Sequence, residues 1–139
     1  MADAPVNATF QFELVSPEKI LVSEEVKMVV VPGEEGDFGV LAQHAPLLSS
    51  IRPGVVSVTG LTGEVRRIFV AGGFADVSPS LLSVLAEEAV NVDEIDKGQL
   101  EQDLKNLEDD LGFAKDDPAK ASLLQSQIET TKAKIKAAA

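Results

Sequence analysis

No cysteine, tryptophan or tyrosine occurs in this chain of 139 residues, and histidine occurs once, as His44. Without thiols there are no disulfides, thiolate nucleophiles, iron–sulfur clusters or zinc ribbons. A lone histidine excludes a multi-histidine metal site. The only aromatics are six phenylalanines, too few for the stacking platforms that hold single-stranded nucleic acid. Long apolar runs are missing as well. The longest unbroken aliphatic stretch is Met28–Val31, against the ~20 residues that a bilayer-spanning helix needs. Basic residues are scarce: 12 Lys and Arg stand against 23 Asp and Glu, a formal net charge of −11. Nucleic acid and anionic lipid repel such a chain, so its partners should offer basic or neutral patches. The opening MADAPVNATFQFE has neither a basic end nor an apolar stretch. It is therefore expected to be neither a signal nor a transit peptide, and a reducing compartment is expected.

What is present is a folding chain. Hydrophobic residues make up 45% of it, too many for a disordered acidic protein. A chain of this length buries about two-thirds of its surface without staples. Composition changes near residue 90. Residues 1–90 hold eight of the ten glycines and six of the seven prolines. Residues 91–139 are rich in Ala, Leu, Lys, Glu, Asp and Gln. The first part is punctuated like β structure and the second like helix.

In the first part, Thr9–Leu14 alternates strictly, with Phe10, Phe12 and Leu14 on one face. Val26, Met28 and Val30 repeat that period around Lys27. Val56 and Val58 follow Pro53-Gly54, and Gly60 to Gly63 reads as a hairpin turn into Val65–Ala71. Phe74–Val77, a turn at Ser78-Pro79-Ser80 and Leu81–Ala86 complete the set. Short strands at this spacing predict a β-sandwich or barrel. In the second part, Leu100, Leu104, Leu107 and Leu111 form one helical stripe. Ala121, Leu124, Ile128, Thr131 and Ile135 form another. Gly112 suits the position after a helix, Asp117 an N-cap and Pro118 a first helical residue. About six residues connect the stripes, so the helices should fold back as an antiparallel hairpin.

Catalytic constellations are weak. His44 near Ser49 and Ser50 allows a hydrolase arrangement only formally, since no nucleophile elbow accompanies it. Gly33, Gly36 and Gly39 lack the following helix of a phosphate loop and read as turns or bulges. Glu34, Glu35 and Asp37 read as a solvated acidic loop, because Phe38 and Val40 stand where a calcium loop needs oxygens. Glu108-Asp109-Asp110 opposes the dipole at the end of the first helix. It is either a solvated face or a face for a basic partner. From the residues alone, a free-standing acidic β-sandwich adaptor for a basic protein remains open.

One run is more specific. Gly36-Asp37-Phe38-Gly39-Val40-Leu41-Ala42-Gln43-His44-Ala45-Pro46-Leu47-Leu48, then Pro53-Gly54, then Val70-Ala71-Gly72-Gly73-Phe74-Ala75-Asp76-Val77 resembles the epsilon subunit of the F-type rotary ATP synthase, bacterial type. The resemblance extends over essentially the whole chain. It implies an all-β N-terminal sandwich of about ten strands, residues 1–90, followed by an antiparallel two-helix hairpin, residues 91–139. It further implies a non-catalytic central-stalk subunit on the cytoplasmic face of the bacterial inner membrane, peripheral and without lipid insertion. The sandwich would bind the gamma subunit and the basic polar loops of the c-ring. Asp37 and His44 match the family positions near those loops, although Asp37 also suits a turn cap.

The hairpin, regulatory or packing, carries two departures. In some relatives ATP holds it folded through a motif that here reads Ile95-Asp96-Lys97-Gly98-Gln99-Leu100. Ile95 and Asp96 match, but Gln99 and Leu100 replace an Arg and an Ala. Gln supplies neither the charge nor the forked donor that phosphate needs, so no cofactor is expected. In relatives whose hairpin inhibits hydrolysis, basic residues meet an acidic segment of the catalytic beta subunit, in the alpha/beta head. Residues 94–111 here hold seven acids and two lysines, a net of −5, so weak inhibition or none is expected.

Overall fold

The structure, a computed structural model, describes residues 8–138. The reading of the opening segment lies partly outside them. The chain divides into two compact units, the first ending at Asn91 and the second beginning at Val92.

The first unit is a ten-stranded sandwich. Its strands are β1 (Phe10–Val15), β2 (Ile20–Val26), β3 (Met28–Gly33), β4 (Gly36–Leu41), β5 (Leu47–Ile51), β6 (Gly54–Thr59), β7 (Val65–Val70), β8 (Gly73–Val77), β9 (Leu81–Ala86) and β10 (Ala89–Asn91). The hydrogen-bonded order is β10-β7-β6-β3-β5-β8-β9-β1-β2, with β4 paired to β3. β1 and β9 run parallel, and the other strand pairs are antiparallel. Inward residues alternate along the strands and meet in one core of Phe10, Phe12, Leu14, Val29, Val31, Val56, Val58, Leu82, Val84 and their neighbours. Each such side chain contributes roughly 1.5–3 kcal/mol through burial, which is what offsets chain entropy in a unit without staples.

The alternation predicted for β1 holds: Phe10, Phe12 and Leu14 are buried. The face predicted for Val26, Met28 and Val30 does not. Val26 ends β2, the chain bends at Lys27, and β3 restarts with Val29 and Val31 buried instead. Lys27 donates its N–H to the Thr59 carbonyl at 2.9 Å. One residue outside the ladder shifts the period, and every later side chain changes face. The run from Gly36 to Leu41, read as turns and an acidic loop, is the strand β4. Its partner β3 fixes it, with Met28 opposite Leu41 and Gly33 opposite Gly36.

Strand pairing sorts the connections to two ends of the sandwich. One end gathers the β1–β2, β3–β4, β5–β6, β7–β8 and β9–β10 turns, because Gly33 pairs with Ile51, Ile51 with Gly73, and Gly73 with Ala86. The other gathers the segment after β4, the Gly60–Gly63 hairpin and the Ser78–Ser80 turn, through Leu47 opposite Val77. In the Gly60–Gly63 hairpin, Thr62 donates both its hydroxyl and its N–H to the Glu64 carboxylate. The hydroxyl first, then the backbone donors, hold the Glu64 carboxyl below its usual range.

The second unit begins with a 3-10 turn at Val92–Glu94, then α1 (Lys97–Phe113) and α2 (Pro118–Ala138). The helices pack against one another. Leu111 and Gly112 border the same groove as Ala121 and Gln125, as in helices that fold back. Asp117 caps α2 as expected: its side chain accepts the Lys120 N–H at 3.2 Å, and Pro118 is the first helical residue. Gly112 is not the residue after the helix. α1 runs through Phe113 and is capped at Ala114 with φ −102, so the connection is shorter than the stripes suggest. Leu124 and Ile128 are buried, whereas no residue of α1 is fully buried.

Candidate functional site

At the first end, the β3–β4 and β5–β6 turns are locked together. The Arg52 N–H donates to the Pro32 carbonyl at 3.0 Å, and the Glu34 N–H to the Ser50 carbonyl at 2.9 Å. The Arg52 guanidinium adds two further bonds, to the Gly33 carbonyl and to Asp37 Oδ1, the latter at 2.5 Å. Both side chains stay in part exposed, Arg52 at 42% and Asp37 at 61%. Besides these two, Glu18, Lys19, Glu34, Glu35, Glu87 and Glu88 stand on turns of this end. The end as a whole is acidic.

His44 stands elsewhere. It follows β4, whereas Asp37 is the second residue of that strand, so the strand separates them toward opposite ends of the sandwich. The His44 loop is pinned by the Gln43 N–H to the Pro79 carbonyl at 2.7 Å, with Gln43 at φ 63. His44 Nδ1 lies 2.6 Å from the Ala45 carbonyl, to which it donates in the tautomer protonated there. Ser49 donates to the Ser50 carbonyl at 3.0 Å. The ring and the hydroxyl are thus engaged with neighbouring backbone. Leu41, Leu47 and Leu48 are exposed around this loop.

The outward face of β8, β9, β1 and β2 carries a continuous apolar row. Phe74 pairs with Leu85, Leu85 with Val15, and Val15 with Ile20. Phe74 is 55% exposed, Leu85 52% and Ile20 67%, and Leu48 on neighbouring β5 is 72% exposed. Contiguous exposed apolar surface of this kind marks protein interfaces. Alternation with buried Ala75 and Val77 already turns Phe74 outward in the sequence. The row itself depends on register between distant strands. Arg52 had no local signal either, since its partners Asp37 and Gly33 lie 15 and 19 residues away.

In the second unit, Asp96 is the N-cap of α1. Its carboxylate accepts the Gln99 N–H at 3.1 Å, and its carbonyl accepts the Leu100 N–H at 3.1 Å. The Gln99 amide donates to Asp103 at 2.9 Å. Ile95, half-buried, donates its N–H to the Val92 carbonyl at 3.2 Å. The matching residues of the nucleotide motif are therefore occupied in starting a helix whose first turn contains Gly98. Asp96→Ala should lower stability by about 1 kcal/mol, while Asp96→Ser keeps most of it. Faster amide exchange at Gln99 and Leu100 in the Ala variant alone is the expected reading. Equal exchange in both variants would remove the capping role.

Residues 9–92 match the family described as the ATP synthase delta/epsilon chain, beta-sandwich domain. The chain is 46% identical over 128 residues to an ATP synthase epsilon chain of Mesorhizobium japonicum, covering 91% of this chain and 95% of that one. It is 48% identical over 130 residues to the epsilon chain of Rhodospirillum centenum, covering 90% and 88%. In fold it is similar to a chain in the Euglena gracilis mitochondrial ATP synthase structure of OSCP, F1 and c-ring, with a TM-score of 0.80 and 24% identity over 95% of this chain and 82% of that one. These findings replace the adaptor reading. The chain belongs to the epsilon chains of ATP synthase, a family of non-catalytic subunits.

Proposed function

We propose that the sandwich is the part of this central-stalk subunit that joins the gamma subunit to the c-ring, with gamma on the apolar row and the c-ring at the acidic end. The single observation that carries the reading is the division of one sandwich surface into these two regions. The row of Phe74, Leu85, Val15 and Ile20 offers the desolvated centre that a stable protein interface needs. The turns around Glu34, Glu35 and Asp37 offer negative charge to basic polar loops. Of the two residues matched by resemblance, Asp37 belongs to the acidic end and His44 to the opposite one. We assign the c-ring side to Asp37 and its turn.

We assign the subunit to the cytoplasmic face of the bacterial inner membrane, as a peripheral part of the complex. Among the described residues no helix is long and apolar enough to cross a membrane. The hairpin is assigned a packing role, and no nucleotide is assigned to it, because Gln99 stands where a phosphate donor is needed.

Phe74→Ser tests the gamma assignment. Affinity for gamma should fall about fivefold to tenfold, since a central aromatic anchor contributes above 1 kcal/mol. Calorimetry of gamma with the folded variant is the measurement. Unchanged affinity for both Phe74→Ser and Leu85→Ser would move gamma to another face.

A further inference from the structure

We propose that Asp37 acts inside the subunit, as the receptor for Arg52, and that Arg52 is the positioning residue of the acidic end. The inference rests on the assignment of that end to the c-ring. It changes what Asp37 does there, from a group that touches the partner to one that holds the turn in shape.

The start of β6 lies close against β3: a Cβ on Gly54 would come within 2.9 Å of the Pro32 side chain. Across the two turns themselves, two main-chain bonds and the Arg52 fork set the relative position. A planar guanidinium suits a carbonyl and a carboxylate at once, which a lysine ammonium does not. The β3–β4 turn, with Glu34 and Glu35 exposed at its tip, is thereby tied to Arg52 on the β5–β6 turn, one residue before Pro53.

Charge points the same way. The Asp37 carboxylate already faces a cation at 2.5 Å. A basic residue from a partner would reach that carboxylate only against the charge of Arg52. Direct contact is thus penalised, whereas the Asp37–Arg52 bond is intact before any partner arrives.

The test uses the assembled synthase in inverted membrane vesicles, reading protons pumped per ATP hydrolysed. Asp37→Asn and Arg52→Gln should each lower this ratio about two- to fivefold, the range an exposed ion pair supplies. The double variant should be no worse than Arg52→Gln alone, because that change already removes the Asp37 bond along with the one to the Gly33 carbonyl. The exchange Asp37→Arg with Arg52→Asp restores the ion pair but not the Gly33 bond, so it should recover part of the loss and pump better than Arg52→Gln. If Asp37 instead meets a basic c-ring residue, Arg52→Gln leaves pumping unchanged or raised. The exchange is then worse than Asp37→Asn, since it sets a cation against cations. Either result overturns the proposal. A fall in Tm that tracks the loss of pumping would reduce Arg52 to fold maintenance and overturn it too. A photo-crosslinking side chain at Pro53 separates the two levels. Capture of the c subunit with the wrong variant pattern sinks only the positioning role, and no capture sinks the c-ring assignment beneath it.

Discussion

Gly73→Ala should destabilise the sandwich by more than ~3 kcal/mol and leave little assembled subunit. Gly73 has φ +140, a conformation that L side chains rarely adopt. Backbone strain of this kind alone costs roughly 1–3 kcal/mol. Sterics add more. The new Cβ would stand 1.9 Å from the Leu85 carbonyl oxygen, 2.9 Å from its carbon and 3.1 Å from the Ala86 Cα. All three atoms are backbone, so no rotamer change relieves the clash. Relief requires parting Gly73 from Ala86, the first pair of the β8–β9 ladder. Two neighbouring positions calibrate the effect. Gly72, at φ +123, would meet nothing closer than the Ile51 carbonyl oxygen at 3.5 Å, so it pays the strain without the clash. Gly63, at φ +86, has nothing within 4 Å of its added Cβ. Denaturant unfolding should rank the alanine variants Gly73 far above Gly72, with Gly63 least affected. A Gly73→Ala variant within about 1 kcal/mol of the natural chain would mean that the two strands can separate there at little cost. The same ladder turns Phe74 outward, so the fold effect reaches the proposed gamma surface.

Legibility followed the range of the interactions. β1 was readable because one buried face alternates with a polar one inside six residues. The Gly60–Gly63 turn and the Asp117-Pro118 start of α2 were readable because their chemistry is local. β4 was not. Its sequence GDFGVL has two glycines, and Leu41 at its end is exposed, so its own alternation is faint and its place depends on β3. β2, read as ILVSEEV, buries only Val26 fully and follows no clean period. The count of about ten strands therefore came from the resemblance rather than from periodicity. The same limit holds for function. His44 and Asp37 sit in one motif of the sequence, yet a six-residue strand carries them to opposite ends. Arg52 became visible only when the β5–β6 turn met the β3–β4 turn.

Replacing Asp109 and Asp110 by lysine should turn the hairpin from a bystander into an inhibitor, lowering ATP hydrolysis by the assembled complex more than tenfold. As found, these acids are exposed at the end of α1, where the last turn holds no basic residue and the helix dipole disfavours negative charge. The stretch 94–111 carries its net −5 from seven acids and two lysines. If the catalytic head presents the acidic segment that the resemblance implies, such a surface would be held off by like charge, at a cost of several kcal/mol at close approach. Screening at physiological salt leaves this repulsion a reach of about 8 Å, so contact surfaces feel it and distant ones do not. The two lysines swing four charges and also favour the helix end, by about 0.3–1 kcal/mol each. Glu108 is left in place for a structural reason. It borders the groove between the helices together with Lys115 and Lys132, so reversing it would set three cations around one groove and loosen the hairpin. The control is removal of residues 92–139 from the natural subunit, which should leave hydrolysis within twofold of the intact complex. If that removal raises hydrolysis several-fold, the natural hairpin already inhibits, and the lysines at 120, 132, 134 and 136 outweigh the acids of α1. If removal changes nothing and the two-lysine variant also changes nothing, charge on α1 does not govern docking, and the hairpin is a packing element alone.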